Sequence, residues 1–176
     1  MGDSGKPRVV VSQCLGLAPC RYDGAIIRST AAVRLAGEVE FLPVCPEMAI
    51  GLGCPRDPIR VVAGGGERRL VQPATGRDVS AAMRGFAQRF LDAAGPVDGF
   101  LLKARSPSCG IRDVKGYDGP EGEAFRREGP GFFAEAVLAR FPVAAVEDEL
   151  GLEDAAACGR WLHGLQAAVA ARQRGG

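Results

Sequence analysis

Histidine is nearly missing from this chain: 176 residues contain one, His163, close to the C-terminal end. That takes His-based zinc sites and Cys–His nucleophile pairs out of consideration. An excess of charge is missing too. Twenty-two Lys and Arg face 21 Asp and Glu, so no global field recruits a phosphate backbone, and no nucleic acid partner is expected. No apolar run approaches the ~20 residues that span a bilayer. The opening segment, MGDSGKPRVV, lacks the apolar stretch of a signal peptide. Internal repeats are absent as well. The expectation is a single-domain cytoplasmic protein over residues 1–176, with its core in 8–146 and no membrane partner.

What the chain does have is cysteine, six in all. Thiols in a reducing compartment do not form a disulfide framework. Metal binding or catalysis is then the alternative to simple burial.

The β-branched run Arg8–Ser12 reads as a buried strand. A helix capped by Ser29 or Thr30 runs through Ala36, with Gly37 as its stop. VEFLPV, 39–44, is a second strand, and CPEMAIGLGCPRDP after it reads as irregular. Segments 59–63 and 69–72 flank GGGE as a hairpin. A helix runs from Asp78 or Ser80 to about Ala94, with Val79, Met83, Phe86, Phe90 and Leu91 inward. DGFLLK, 98–103, is a third strand. Residues 111–130 read as a long loop, a feature that is usually functional or mobile. A helix at 131–141 turns Phe133, Val137 and Leu138 inward; a strand at 142–146 and an Ala-rich helix at 153–172 complete the chain. Strands alternating with helices predict an α/β fold, an open parallel sheet with helices on both faces. Such sheets bind ligands beyond the carboxyl ends of their strands.

Three cysteines fall where that rule points. Cys14 follows the first strand, Cys45 the second, and Cys109 closes LLKARSPSCG after the third. Three convergent thiols without histidine suit a soft metal centre. A fourth ligand from Cys20 or Cys54 stays open at this point, and Cys158 reads as a core residue on its helix. Arg21, Arg56, Lys103 and Arg105 are expected to lower the pKa of neighbouring thiols.

The stretches Ser12-Gln13-Cys14-Leu15-Gly16, Cys20-Arg21-Tyr22-Asp23-Gly24, Cys45-Pro46-Glu47, Gly51-Leu52 with Pro55-Arg56, and Lys103-Ala104-Arg105-Ser106-Pro107-Ser108-Cys109-Gly110 resemble the bacterial 2-thiouracil desulfidase family, from Val9 to about Val146. The resemblance implies a compact Rossmann-like domain and a 4Fe-4S cluster held by Cys14, Cys45 and Cys109, with the fourth iron open to the sulfur of a thiolated base. It implies a redox-neutral exchange of C=S for C=O with release of sulfide. Glu47 is the motif glutamate, and the assisting serine is Ser106 or Ser108. Tyr22, Asp23 and Lys103 are candidate substrate contacts. Free base, nucleoside, nucleotide and thiolated RNA all remain open as substrates. Two other readings stand beside this one. One is a zinc- or cluster-binding module serving a partner through an exposed C-terminal helix with Trp161 and Leu162. The other is a thiol enzyme using Cys109 as nucleophile.

Overall fold

The computed structural model describes residues 5–64, 66–127 and 129–174. Strand β1 (Arg8–Ser12) lies between β2 (Glu40–Val44) and β6 (Gly99–Leu102), and β9 (Ala145–Asp148) pairs with the far side of β6. All three pairings are parallel. The alternation of β1 explains why its sequence is an unbroken apolar run. Val9 and Val11 pack with α1 (Thr30–Leu35) and α5 (Ala155–Arg174), while Val10 packs with α3 (Ser80–Ala93) and α4 (Phe132–Arg140). Both faces are covered, as parallel sheets require. Ser29 caps α1, its side chain accepting from the Ala32 N–H at 3.1 Å.

A second, mixed sheet of five strands stands beside the first. Strands β3 (Arg60–Gly64) and β4 (Glu67–Gln72) form the expected hairpin, whose Gly65 lies outside the described residues. Strand β5 (Arg77–Asp78) extends β4. Residues 111–130 depart from the expectation of a bare loop. They contribute β7 (Lys115–Tyr117), parallel to β3, and β8 (Ala124–Arg127), antiparallel to β7. These strands are three and four residues long, and β7, which links β8 to the sheet, pairs with a segment more than fifty residues away, so no local periodicity announces them.

Four smaller expectations are corrected. CPEM is not irregular: Pro46 opens the one-turn helix α2 (Pro46–Ala49), where its fixed φ suits the first position. Leu138 is exposed at 39%, and Phe132 takes the inward position beside Phe133 and Val137. Strand β9 starts three residues later than expected, because 142–144 form a turn closed by Ala144 N–H on the Phe141 carbonyl. Trp161 and Leu162 pack against the β1 and α1 side of the core, which removes the exposed docking face expected of the C-terminal helix.

Candidate functional site

A cavity of about 470 Å³ opens where the loops after β1, β2 and β6 meet. In chain order the four parallel strands run 2-1-3-4, so the order reverses between β1 and β6, and the cavity forms at this switch point. The backbone of β6 is tied to β1 there: the Lys103 N–H donates to Ser12 Oγ at 2.9 Å.

Cys14, Cys45, Cys109 and Cys20 all line the cavity. Cys14 follows β1 by two residues, and its carbonyl accepts the Ile27 N–H at 2.9 Å. Cys45 is the residue from which α2 starts. Cys109 is held in a turn that Ser106 closes, its Oγ accepting the N–H groups of Ser108 (3.2 Å) and Cys109 (3.1 Å). The first N–H groups of α4 need partners, and the turn supplies them: Phe132 N–H reaches the Pro107 carbonyl, and Phe133 and Ala134 reach that of Ser108. Helix α4 thus seats the thiol turn. Cys54 is not among the lining residues; its thiol meets the carbonyls of Pro19 (2.9 Å) and Arg21 (3.3 Å). Cys158 is buried on the inner face of α5.

Between the thiols lies a polar chain. Ser108 Oγ donates to Glu47 Oε1 at 2.8 Å, and Ser106 Oγ stands 3.0 Å from Ser108 Oγ. The other carboxylate oxygen, Oε2, takes both Nε (2.8 Å) and Nη2 (2.6 Å) of Arg56. Arg56 also donates Nη1 to the carbonyls of Cys20 and Gly53. Its side chain is 4% exposed, so this is a buried pair whose remaining donors are satisfied.

Three of the cavity thiols have raised pKa values. Burial, then the Cys45 thiol, pushes Cys14 up to about 11. The same two causes push Cys20 up to about 12. Burial raises Cys109 as well, against hydrogen bonds from Ser12 and Ser108. The expectation that the local cations depress thiol pKa is therefore corrected. Each cation is already occupied: Arg21 by Asp23 (3.1 Å), Arg56 by Glu47, Lys103 by Glu149 (2.6 Å) and Arg105 by Asp113 (3.1 Å). Lys103 and Arg56 pull in the expected direction, on Cys14 and Cys20, and desolvation outweighs them. Burial and a raised pKa weigh against Cys109 as a nucleophile.

Among the described residues, no three His, Cys, Asp or Glu side chains converge closely enough for one metal ion. A polynuclear cluster asks for something else, since each cysteine binds a separate metal atom and the donors stand apart. Three thiols lining one cavity of this size, Cys109 buried and Cys14 and Cys45 partly so, suit that demand better than they suit a single zinc ion. The sequence model of the 2-thiouracil desulfurase family matches residues 9–149, the span that carries every loop of this cavity.

The chain belongs to the 2-thiouracil desulfurase family.

Two similar proteins stand beside this match. A solved structure of the 4Fe-4S-dependent thiouracil desulfidase TudS superposes with a TM-score of 0.66 at 35% identity, covering 84% of this chain and 94% of that one. The uncharacterized protein YbbK of Bacillus subtilis (strain 168) is 34% identical over 109 residues, 58% of this chain and 72% of that protein. Helix α5 lies beyond the family match.

Of the remaining residues singled out from the sequence, Glu47, Ser106, Ser108, Tyr22 and Lys103 line the cavity of this desulfurase-family protein, and Asp23 does not. Asp23 shapes its loop instead, accepting the Ala25 N–H at 3.0 Å and pairing with Arg21. Sequence reasoning missed Glu149, Arg60 and Tyr117. The buried Glu149 carboxylate holds Lys103 Nζ and the Ala104 N–H, each at 2.6 Å, so it fixes the start of the thiol turn. Its signal was an acidic residue immediately after a strand. Arg60 and Tyr117 reach the cavity from the second sheet, through the pairing of β3 with β7 that was not legible locally.

Proposed function

We propose that this protein hydrolyses a thiolated pyrimidine, replacing C=S by C=O and releasing sulfide, with a 4Fe-4S cluster held by Cys14, Cys45 and Cys109. The observation that carries the reading is the meeting of three thiols, from the loops at the carboxyl edge of the parallel sheet, with the Glu47–Ser108 pair in one cavity. The TudS likeness supports the choice of cluster and substrate class. With three protein ligands, such a cluster keeps one iron free as a Lewis acid for a soft thiocarbonyl sulfur.

The chain's own residues supply the rest. Glu47 Oε2 is saturated by two Arg56 donors, whereas Oε1 accepts only Ser108 and keeps a lone pair. Oε1 is therefore the atom that takes a proton from water as its oxygen adds to the thiocarbonyl carbon. Ser106 Oγ spends its acceptor capacity on two backbone N–H groups, so its own proton goes to Ser108 Oγ. Ser108 is then the serine that works with Glu47, and Ser106 orients it. The water contributes one oxygen to the product, and its two protons leave with the sulfur as hydrogen sulfide, so no electrons are exchanged. Arg56 fixes the carboxylate.

The test is direct. Anaerobically reconstituted protein, given 2-thiouracil, should release sulfide and uracil in equal amounts without a reductant. Absence of both products from protein with full iron content would overturn the reading. The binding-module alternative predicts that second result.

A further inference from the structure

The second sheet contributes two side chains to the cavity wall that the hydrolytic chemistry does not use, Arg60 and Tyr117. They are built as a unit. The Arg60 guanidinium lies over the Tyr117 ring, 4.4 Å from its centroid. Arg60 Nη1 is fixed by the carbonyls of Pro120 (3.1 Å) and Gly122 (3.3 Å). Tyr117 ends β7, its backbone opposite Val62 of β3 on one side and Ala124 of β8 on the other, where the β7–β8 register shifts between Gly116 and Tyr117. Both residues are half-buried. Arg60 also differs from the other cavity cations. Arg21, Arg56, Lys103 and Arg105 each hold a carboxylate, and among the described residues Arg60 holds none. Its structural work is to back the tyrosine ring.

A planar heterocycle entering this cavity needs a flat surface to stack on, because sulfur coordination alone leaves the ring free to rotate about the bond to the metal. Among the described residues, two aromatics line the cavity, Tyr22 and Tyr117. Tyr22 rides on an irregular loop, 39% exposed, beside Arg21. Tyr117 stands on a strand whose backbone is paired on both sides, with the Arg60 guanidinium against its ring, and rigid elements place recognition groups more accurately than loops. We propose that Tyr117, backed by Arg60, is the surface on which the pyrimidine ring stacks, making the second sheet the substrate-selecting half of the molecule and the first sheet the chemical half. The proposal rests on the desulfidase reading for the identity of the ring.

The experiment uses the reconstituted holoprotein and 2-thiouracil, with both turnover and equilibrium binding measured. Base–aromatic stacking sets the scale, so Tyr117→Ala should raise KM and Kd by about 5- to 150-fold, with kcat and iron content unchanged. Tyr117→Phe should restore both constants, because the ring and not the hydroxyl is used. Tyr117→Leu serves as a second ring-free variant that preserves apolar bulk, and it should behave like Tyr117→Ala. Arg60→Ala should raise KM by less than Tyr117→Ala. An unchanged KM and Kd in Tyr117→Leu at full iron content overturns the proposal, as does a fall in kcat alone. If the wild-type protein binds 2-thiouracil in a Tyr117-dependent way but releases no sulfide, the stacking surface stands and the hydrolytic reading falls. If the wild type neither binds nor turns over 2-thiouracil, both fall.

Discussion

At the scale of single residues, the central relation is between Glu47, Ser108 and Arg56. A general base removed from position should cost about 10²- to 10⁴-fold in rate. Glu47→Gln is therefore expected to lower kcat by that amount while iron content stays constant. Ser108→Ala removes one hydrogen bond to a carboxylate and should cost about tenfold or more. Arg56→Gln leaves a buried carboxylate without its cation, which costs roughly 3–5 kcal/mol of stability. If Arg56 works through Glu47, the double variant Glu47→Gln/Arg56→Gln recovers most of that loss in a denaturation series, and Arg56→Gln adds no further fall in kcat to Glu47→Gln. The thiols make a pH prediction for protein without a bound centre. Cys14 and Cys20 have native pKa values raised to about 11 and about 12 from an ordinary 9.0. The native state thus holds these protons more tightly than the unfolded chain does. Their contribution to stability is intact below about pH 9 and is lost as pH rises through 11 and 12. Denaturation at pH 8 and pH 11 should show a steeper loss in the wild type than in a Cys14→Ala/Cys20→Ala variant.

At the scale of elements, the thiol turn depends on a close approach that only glycine permits. A Cβ on Gly131 would lie 2.6 Å from the carbonyl oxygens of Pro107 and Ser108. Gly131→Ala must therefore push the start of α4 away from the turn it seats. Overpacking of this kind costs typically 1–3 kcal/mol, and the expected outcome is a lowered melting temperature together with reduced iron uptake at Cys109. Elements of this kind were unevenly legible in the sequence. Strand β1, the capped helix α1 and the amphipathic α3 announce themselves because their periodicity and end signals are local. Cys14 and Cys45 could be placed because each follows such a strand within two residues. Strands β7 and β8 could not, because β7 is held by β3, far away in sequence, β8 joins the sheet only through β7, and β7 carries a glycine at its centre. Tyr117 was lost with them. Glu149 was overlooked for a different reason: a carboxylate after a strand reads as solvated until its partner, Lys103, is known.

On the scale of the whole molecule, two sheets share one cavity, and the family match ends just where α5 begins to cover the parallel sheet. The order of the parallel strands was not written in the hydrophobic pattern, yet it decides that the loops after β1, β2 and β6 meet. The four-cysteine possibility is narrowed by the same architecture. Cys54 is turned onto backbone carbonyls, and Cys20 remains beside Cys45 in the cavity. The measurement that tests the account most directly is the iron content and visible spectrum of anaerobically reconstituted protein, compared with the single variants Cys14→Ala, Cys45→Ala and Cys109→Ala. The account predicts about four irons per chain with a broad sulfur-to-iron absorption in the wild type, and loss of both in each variant, while Cys54→Ala and Cys158→Ala keep them. A wild-type protein that takes up no iron, or full iron in any of the three variants, would contradict it.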